Sequence, residues 1–320
     1  MAAHPSPSAD GSDGGEAPEP AREPGPTRVI YVMGAGRSGS TILGVALGNC
    51  EDVFYAGELD KWPPRRGVPP LPGEQRARFW ARVRALLDAE VLVGPDSRSF
   101  ERSSLLLSPR AWRTRRRLRS RYRELAAGLF AAVARNSGAS FVVDSSHYPL
   151  RARELQDVPG IELYLLFLLR DPQAVVRSFA RKDVPERSFG VLAANAYLWV
   201  THVLSAWVFA RQPRRRRIVV RHEDFLADPR AVLEAVLAMG GAGRTVPALL
   251  AELRTGPVFQ ANRLVRRELV ALERDSAAPR RHPSRVTALL QWPLQRALAR
   301  LSPVARADGA ATVRERGESR

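Results

Sequence analysis

The chain has 320 residues, 45% of them apolar, which suffices for one well-buried core; its single cysteine, Cys50, excludes an internal disulfide framework and agrees with a reducing compartment. The formal charge of +17 is carried almost wholly by arginine, since lysine occurs only at Lys61 and Lys182. That balance points to an anionic ligand, while runs such as RTRRRLRSRYR (113–123) and PRRRR (213–217) read as solvated faces rather than nucleic-acid patches.

Residues 1–27 are Pro, Gly, Ser, Ala and acid with almost no large apolar side chain, so they predict a disordered arm. The arm has no apolar stretch behind a basic segment, so it does not read as a secretory signal, and a cytoplasmic location is expected. A single domain is expected over 28–303, with a flexible tail at 304–320.

RVIYVMG (28–34) is the first predicted strand, and MGAGRSGSTILG (33–44) follows its end. Against the phosphate-loop frame G-x-x-x-x-G-K-[ST], Gly34, Gly39 and Thr41 fit, but Ser40 stands where lysine is required. The only cation is Arg37, so the loop is basic at its crown. A helix is predicted from Ser40 to Asn49, and DVFYAGE (52–58) is a weaker strand ending in Gly57-Glu58. Residues 59–108, including KWPPRRGVPPLPGEQ, read as loops and a helix near 75–90. A long helix then opens at Ser108-Pro109, carries Leu118, Tyr122, Leu125, Leu129 and Val133 as one stripe, and stops at Asn-Ser-Gly, 136–138.

SFVVDS (140–145) is the next strand, with Ser146-His147 beyond its end. IELYLLFLLR (161–170) follows, with Asp171-Pro172 beyond it and Ser178 one helical segment later. FGVLAANAYLWVTHVLSAWVFA (189–210) is long enough to span a bilayer, but Asn195, Thr201, His202 and Ser205 interrupt it, so it reads as a helix buried against the sheet. His202 reads as a satisfied core or surface histidine. RIVVRHED (217–224) is the last strand. Continuous apolar strands alternating with helices predict an α/β fold with three layers, a mostly parallel central sheet covered by helices. Ligands of such sheets bind beyond the carboxyl ends of the strands.

Taken in order, GAGRSGST, Gly57-Glu58, VVDSSHYPLRA, LLRDPQAVVRSF and VVRHEDFLADP resemble the motifs of the sulfotransferases that use 3′-phosphoadenosine 5′-phosphosulfate (PAPS), over most of 28 to about 300. The resemblance implies the P-loop-like sulfotransferase fold of a bacterial-type member, PAPS as co-substrate and no metal. It matches Arg37 to the family's basic loop residue, and a cation there suits the oxygen that bridges phosphorus and sulfur, where charge develops as that bond breaks. Gly36, Arg37, Ser38, Gly39, Ser40 and Thr41 would bind the 5′-phosphate, and Arg170 with Ser178 the 3′-phosphate. FQANRLVRREL (259–269) resembles the segment that closes over that phosphate, with Asn262 and Arg263 as candidates, although it departs from the fuller Arg-Lys-Gly pattern. Glu58 is the favoured base. His147, where many relatives carry lysine, is its rival.

The expected acceptor is a hydroxyl of a small molecule, carbohydrate or lipid, with no nucleic-acid partner and no transmembrane segment. Two alternatives stand beside this reading. A nucleotide kinase-like phosphotransferase would use Asp144 as its Mg²⁺ ligand, and a basic nucleic-acid-binding protein would gather its arginine runs on one face.

Overall fold

Five short runs of β-branched, aromatic and leucine residues pair into one parallel sheet: β1 (Thr27–Gly34), β2 (Val53–Gly57), β3 (Phe141–His147), β4 (Ile161–Leu169) and β5 (Arg217–Arg221), in the order β2-β3-β1-β4-β5. This computed structural model describes residues 25–87, 94–179, 190–241, 245–247, 250, 252–272 and 284–301. Of the arm expected over 1–27, residues 1–24 lie outside the described residues, as does the tail expected at 304–320, while Thr27 already belongs to β1.

The helices are α1 (Ser40–Gly48), α2 (Glu74–Ala85), α3 (Arg98–Glu101), α4 (Pro109–Ser137), α5 (Pro149–Leu155), α6 (Pro172–Phe179), α7 (Val191–Arg211), α8 (His222–Ala227), α9 (Pro229–Ala238) and α10 (Arg285–Leu298). Because strand side chains alternate, β1 feeds two cores. Val29, Tyr31 and Met33 pack with α2, α4, α5, α7 and α10, while Ile30 and Val32 pack with α1, α8 and α9. This is the expected three-layer arrangement. Each apolar side chain fully buried in it contributes about 1.5–3 kcal/mol.

α4 follows its sequence signals closely. Ser108 Oγ accepts from the Ala111 N–H at 3.3 Å, Pro109 occupies the first turn, and Gly138 ends the helix at φ 69°. Its buried stripe is Tyr122, Leu125, Leu129 and Val133, so Leu118 stands one turn outside it. β5 ends earlier than expected, at Arg221. His222-Glu223-Asp224 forms the first turn of α8 instead, where the two acids suit the positive end of the helix.

α7 packs its inner side on the sheet, with Asn195, Thr201, His202 and Ser205 all buried. His202 departs from expectation. It is fully buried with neither ring nitrogen hydrogen-bonded among the described residues, its ring edge set against Phe167, and burial pushes its pKa down to about 4. In 113–123 the expected solvated face is present, with Arg113, Arg116, Arg117, Arg119 and Arg121 exposed; Arg115 bonds the Ser99 and Leu105 carbonyls, Arg119 and Arg123 pair with Glu154, and Arg117 with Asp96.

Candidate active site

The direction of chain progression reverses around β1, so the carboxyl ends of β3, β1 and β4 flank one crevice. The loop after β1 is shaped by glycines that admit no side chain. A Cβ on Gly34 (φ 150°) would lie 2.4 Å from the Leu168 carbonyl oxygen, and one on Gly39 (φ 93°) would lie 2.4 Å from the His222 ring. Arg37 at the crown takes a left-handed φ of 70°. The Gly36 N–H donates to the Tyr197 hydroxyl at 2.8 Å, which fixes the crown to α7. α1 then begins at Ser40 with no side-chain cap, so its first N–H groups face the loop. The Ser38 hydroxyl is buried, with no hydrogen-bond partner among the described residues. A buried orphan hydroxyl inside a glycine loop at a helix start fits a bound phosphate oxygen.

Two distant segments meet this loop. Arg170, at the end of β4, donates from Nη1 to the Arg37 carbonyl oxygen at 3.1 Å. Asp171 caps α6 by accepting from the Gln173 N–H at 3.0 Å, and part-buried Ser178 sits in the last turn of that helix. From the other side, the late segment adds to the edge of β2. Phe259 N–H donates to Ala56 O at 2.9 Å, Glu58 N–H donates to Gln260 O at 2.7 Å, and Asn262 N–H donates to Thr41 Oγ1 at 3.4 Å. A Cβ on Gly57 would lie 2.3 Å from Gln260 O, so only glycine allows this seam. The late segment therefore does reach the loop, but through the Asn262 main-chain N–H on the Thr41 hydroxyl rather than through its own side chains. The Asn262 side chain accepts from the Arg263 N–H, and both residues are exposed.

The ends of β2 and β3 are irregular, with register shifts between Tyr55 and Gly57 and between the partners of Tyr31 and Met33. Such bulges re-aim side chains beside functional sites. His147 emerges at a left-handed φ of 60°, its ring against Tyr148 at 4.4 Å, and its Nε2 lies 3.8 Å from the position a Cβ on Gly36 would take. The imidazole thus borders the loop crown. Glu58 is part-buried one residue beyond β2. Burial raises the Tyr55 hydroxyl pKa and the Glu58 charge adds to that rise; Tyr55 also exchanges a 2.8 Å hydrogen bond with Ser145. Lys61 forms its ion pair with neighbouring Asp60.

Beneath these residues lies a closed polar floor. The Asp144 carboxylate accepts from Arg151 Nε at 3.2 Å and Nη2 at 3.1 Å, from the Ser146 N–H at 2.9 Å, and from the Ser146 hydroxyl. Arg151 also donates to the Tyr122 hydroxyl at 2.8 Å, and Glu101 stands 3.7 Å away. Burial raises the Glu101 pKa well above the carboxylate range. Asp144 is thus committed to structure, which weakens the kinase-like alternative that needs it for Mg²⁺.

Sequence reading missed Tyr197, His222 and Arg151. His222 follows the observed end of β5, but the strand expected over 217–224 enclosed it, so the strand-end rule passed over it. Tyr197 and Arg151 lie inside helices, where nothing local separates them from core and surface residues.

Comparison with known proteins adds a family and a fold. A family model described as the sulfotransferase family matches residues 29–243. The sulfotransferase domain from the curacin biosynthetic pathway superimposes with a TM-score of 0.52 at 15% identity, covering 86% of this chain and 99% of that one. The sulfotransferase domain from the Synechococcus PCC 7002 olefin synthase gives a TM-score of 0.45 at 18% identity, covering 86% and 96%. No curated protein sequence matches significantly.

Proposed function

The chain belongs to the sulfotransferase family, and on that premise we propose that it moves the sulfuryl group of PAPS to a hydroxyl of a small-molecule, carbohydrate or lipid acceptor without a metal. The observation that carries this reading is the hydrogen bond from Arg170 to the Arg37 carbonyl. It joins the two cationic positions assigned to the two ends of one 3′,5′-bisphosphorylated nucleotide.

In this reading the N–H groups from Arg37 to Thr41, with the hydroxyls of Ser38 and Ser40, hold the 5′-phosphate, while the Gly36 N–H stays with the Tyr197 hydroxyl and Gly36 shapes the crown. Arg37 neutralises the bridging oxygen as the sulfur–oxygen bond breaks, and 3′-phosphoadenosine 5′-phosphate leaves with the bonding electrons. Arg170 and Ser178 hold the 3′-phosphate, which sets this donor apart from other adenine nucleotides, and Asn262 and Arg263 cover it. Glu58 takes the acceptor proton as the new oxygen–sulfur bond forms, while His147 donates to the sulfuryl oxygens. A second reading makes His147 the base, and its place beside Gly36 favours it.

Melting shifts test the donor. With 3′-phosphoadenosine 5′-phosphate in excess EDTA at about 100 times Kd, the midpoint rises by about 5–10 °C, while ATP with Mg²⁺ and single-stranded DNA give less. A larger shift with ATP and Mg²⁺ returns the kinase-like reading. For the base, Glu58→Gln lowers single-turnover sulfuryl transfer by ~10² to 10⁴-fold with donor affinity kept, and His147→Lys costs less. Near wild-type transfer by Glu58→Gln moves the role to His147.

A further inference from the structure

We propose that the outer face of α7 and α10 docks on the surface of an anionic lipid bilayer. α7 turns an apolar side outward, although its inner side is mixed, with Ala194, Leu198, Val208 and Phe209 buried among its polar residues. Its polar residues Asn195, Thr201, His202 and Ser205 are buried, whereas Val200, Val203 and Trp207 are each 48% exposed. A helix of a soluble domain turns its apolar stripe inward, while lipid-facing helices keep polar side chains toward the protein. α10 extends the same surface with Val286, Leu289 and Trp292, all exposed. The two helices adjoin, since Trp199 Nε1 donates to Leu290 O at 2.8 Å and Gln291 Nε2 to Asn195 Oδ1 at 2.9 Å.

Charge selects the occupant. Residues 190–221 and 284–301 contain no Asp or Glu, while exposed Arg211 and Arg296 lie on the apolar face and exposed Arg214 and Arg215 follow the end of α7. Arg211 lies over the Trp207 ring at 5.3 Å and Arg296 over the Trp292 ring at 5.5 Å. Tryptophan with arginine is the pairing that suits the level of lipid headgroups, and anionic lipids supply the acid that this face lacks. A second copy meeting it through the same face would supply none. Self-association through this face would set its arginines near those of the copy on a protein of charge +17.

Flotation of the full chain on phosphatidylcholine vesicles, with and without phosphatidylglycerol, tests the proposal. The chain floats with the phosphatidylglycerol vesicles, is released as salt rises, and stays behind with phosphatidylcholine alone. Trp207→Glu with Leu289→Glu, and separately Arg214→Glu with Arg215→Glu, each lower the partition by about tenfold or more. Unchanged far-ultraviolet circular dichroism and melting midpoint verify the fold; if the glutamates perturb it, Trp207→Ser with Leu289→Ser carries the comparison. Flotation that ignores phosphatidylglycerol overturns the proposal. So does a dimer in sedimentation equilibrium that these apolar-face substitutions dissociate, because then a second copy covers the face. Vesicle binding and the nucleotide melting shift are read separately, so the failure of one leaves the other standing.

Discussion

Arg151 and Arg170 both lie just beyond strands of the same sheet, one after β3 and one after β4, yet their surroundings differ. Arg151 is 2% exposed and gripped on two nitrogens by Asp144, with the Tyr122 hydroxyl on a third. Arg170 is part-buried, and its Nη1 reaches a main-chain carbonyl at the loop crown. A guanidinium sealed against a buried carboxylate has its charge compensated inside the protein, and removing it strands that anion. One oriented by a carbonyl is positioned without being neutralised by that contact. The first arrangement makes a floor, and the second stands at the loop where the proposed function places an anion.

The floor gives the largest expected effect. Arg151→Met leaves Asp144 buried without its cation, so stability falls by about 3–5 kcal/mol in urea unfolding. Replacing the pair together, with Asp144→Leu added, recovers much of that loss. A single variant within about 1 kcal/mol of wild type breaks the distinction between floor and loop. At the crown the expectation reverses. Arg37→Ala lowers sulfuryl-transfer turnover by ~10² to 10³-fold while the melting midpoint stays put, because Arg37 is assigned to developing charge rather than to packing.

His202 sharpens the comparison from a third side, as a buried polar group with no partner among the described residues. Its pKa is pushed down from 6.5 to about 4, so the folded protein binds fewer protons than the unfolded chain between those values. The stability this neutral imidazole allows is present above pH 6.5 and is lost as pH falls toward 4. His202→Leu removes that acid sensitivity, worth up to about 3 kcal/mol near pH 4 and less at neutral pH. Parallel melting-against-pH curves for the two proteins contradict the burial account.

The fold was largely legible because its signals are local. β1, β3 and β4 are continuous apolar runs, and α4 is bracketed by Ser108-Pro109 and Gly138. The loop and Arg170 were legible for the same reason, since glycines and strand ends mark them in one stretch of chain. What escaped depends on distance in sequence. The bond from Gly36 to Tyr197 spans 161 residues, and the seam between β2 and 259–260 is made of main-chain groups that no side-chain pattern announces. Arg151 resembles any helical arginine until β3 bulges and aims Asp144 at it. The polar interruptions in 189–210 pointed to a helix against the sheet, and α7 does pack there, but they could not show that Val200, Val203 and Trp207 stay exposed on its outer side.

The central claim, that one site holds both ends of a 3′-phosphorylated donor without metal, is tested most directly by calorimetric titration in excess EDTA. 3′-Phosphoadenosine 5′-phosphate and 5′-AMP are each titrated into the wild-type protein and Arg170→Ala. The account predicts that the wild type prefers the 3′-phosphorylated nucleotide, and that Arg170→Ala lowers its affinity by about 10- to 100-fold while changing 5′-AMP binding little, as expected for loss of a charged hydrogen-bond partner. Equal losses for both nucleotides, or binding that appears only when Mg²⁺ is restored, would contradict it.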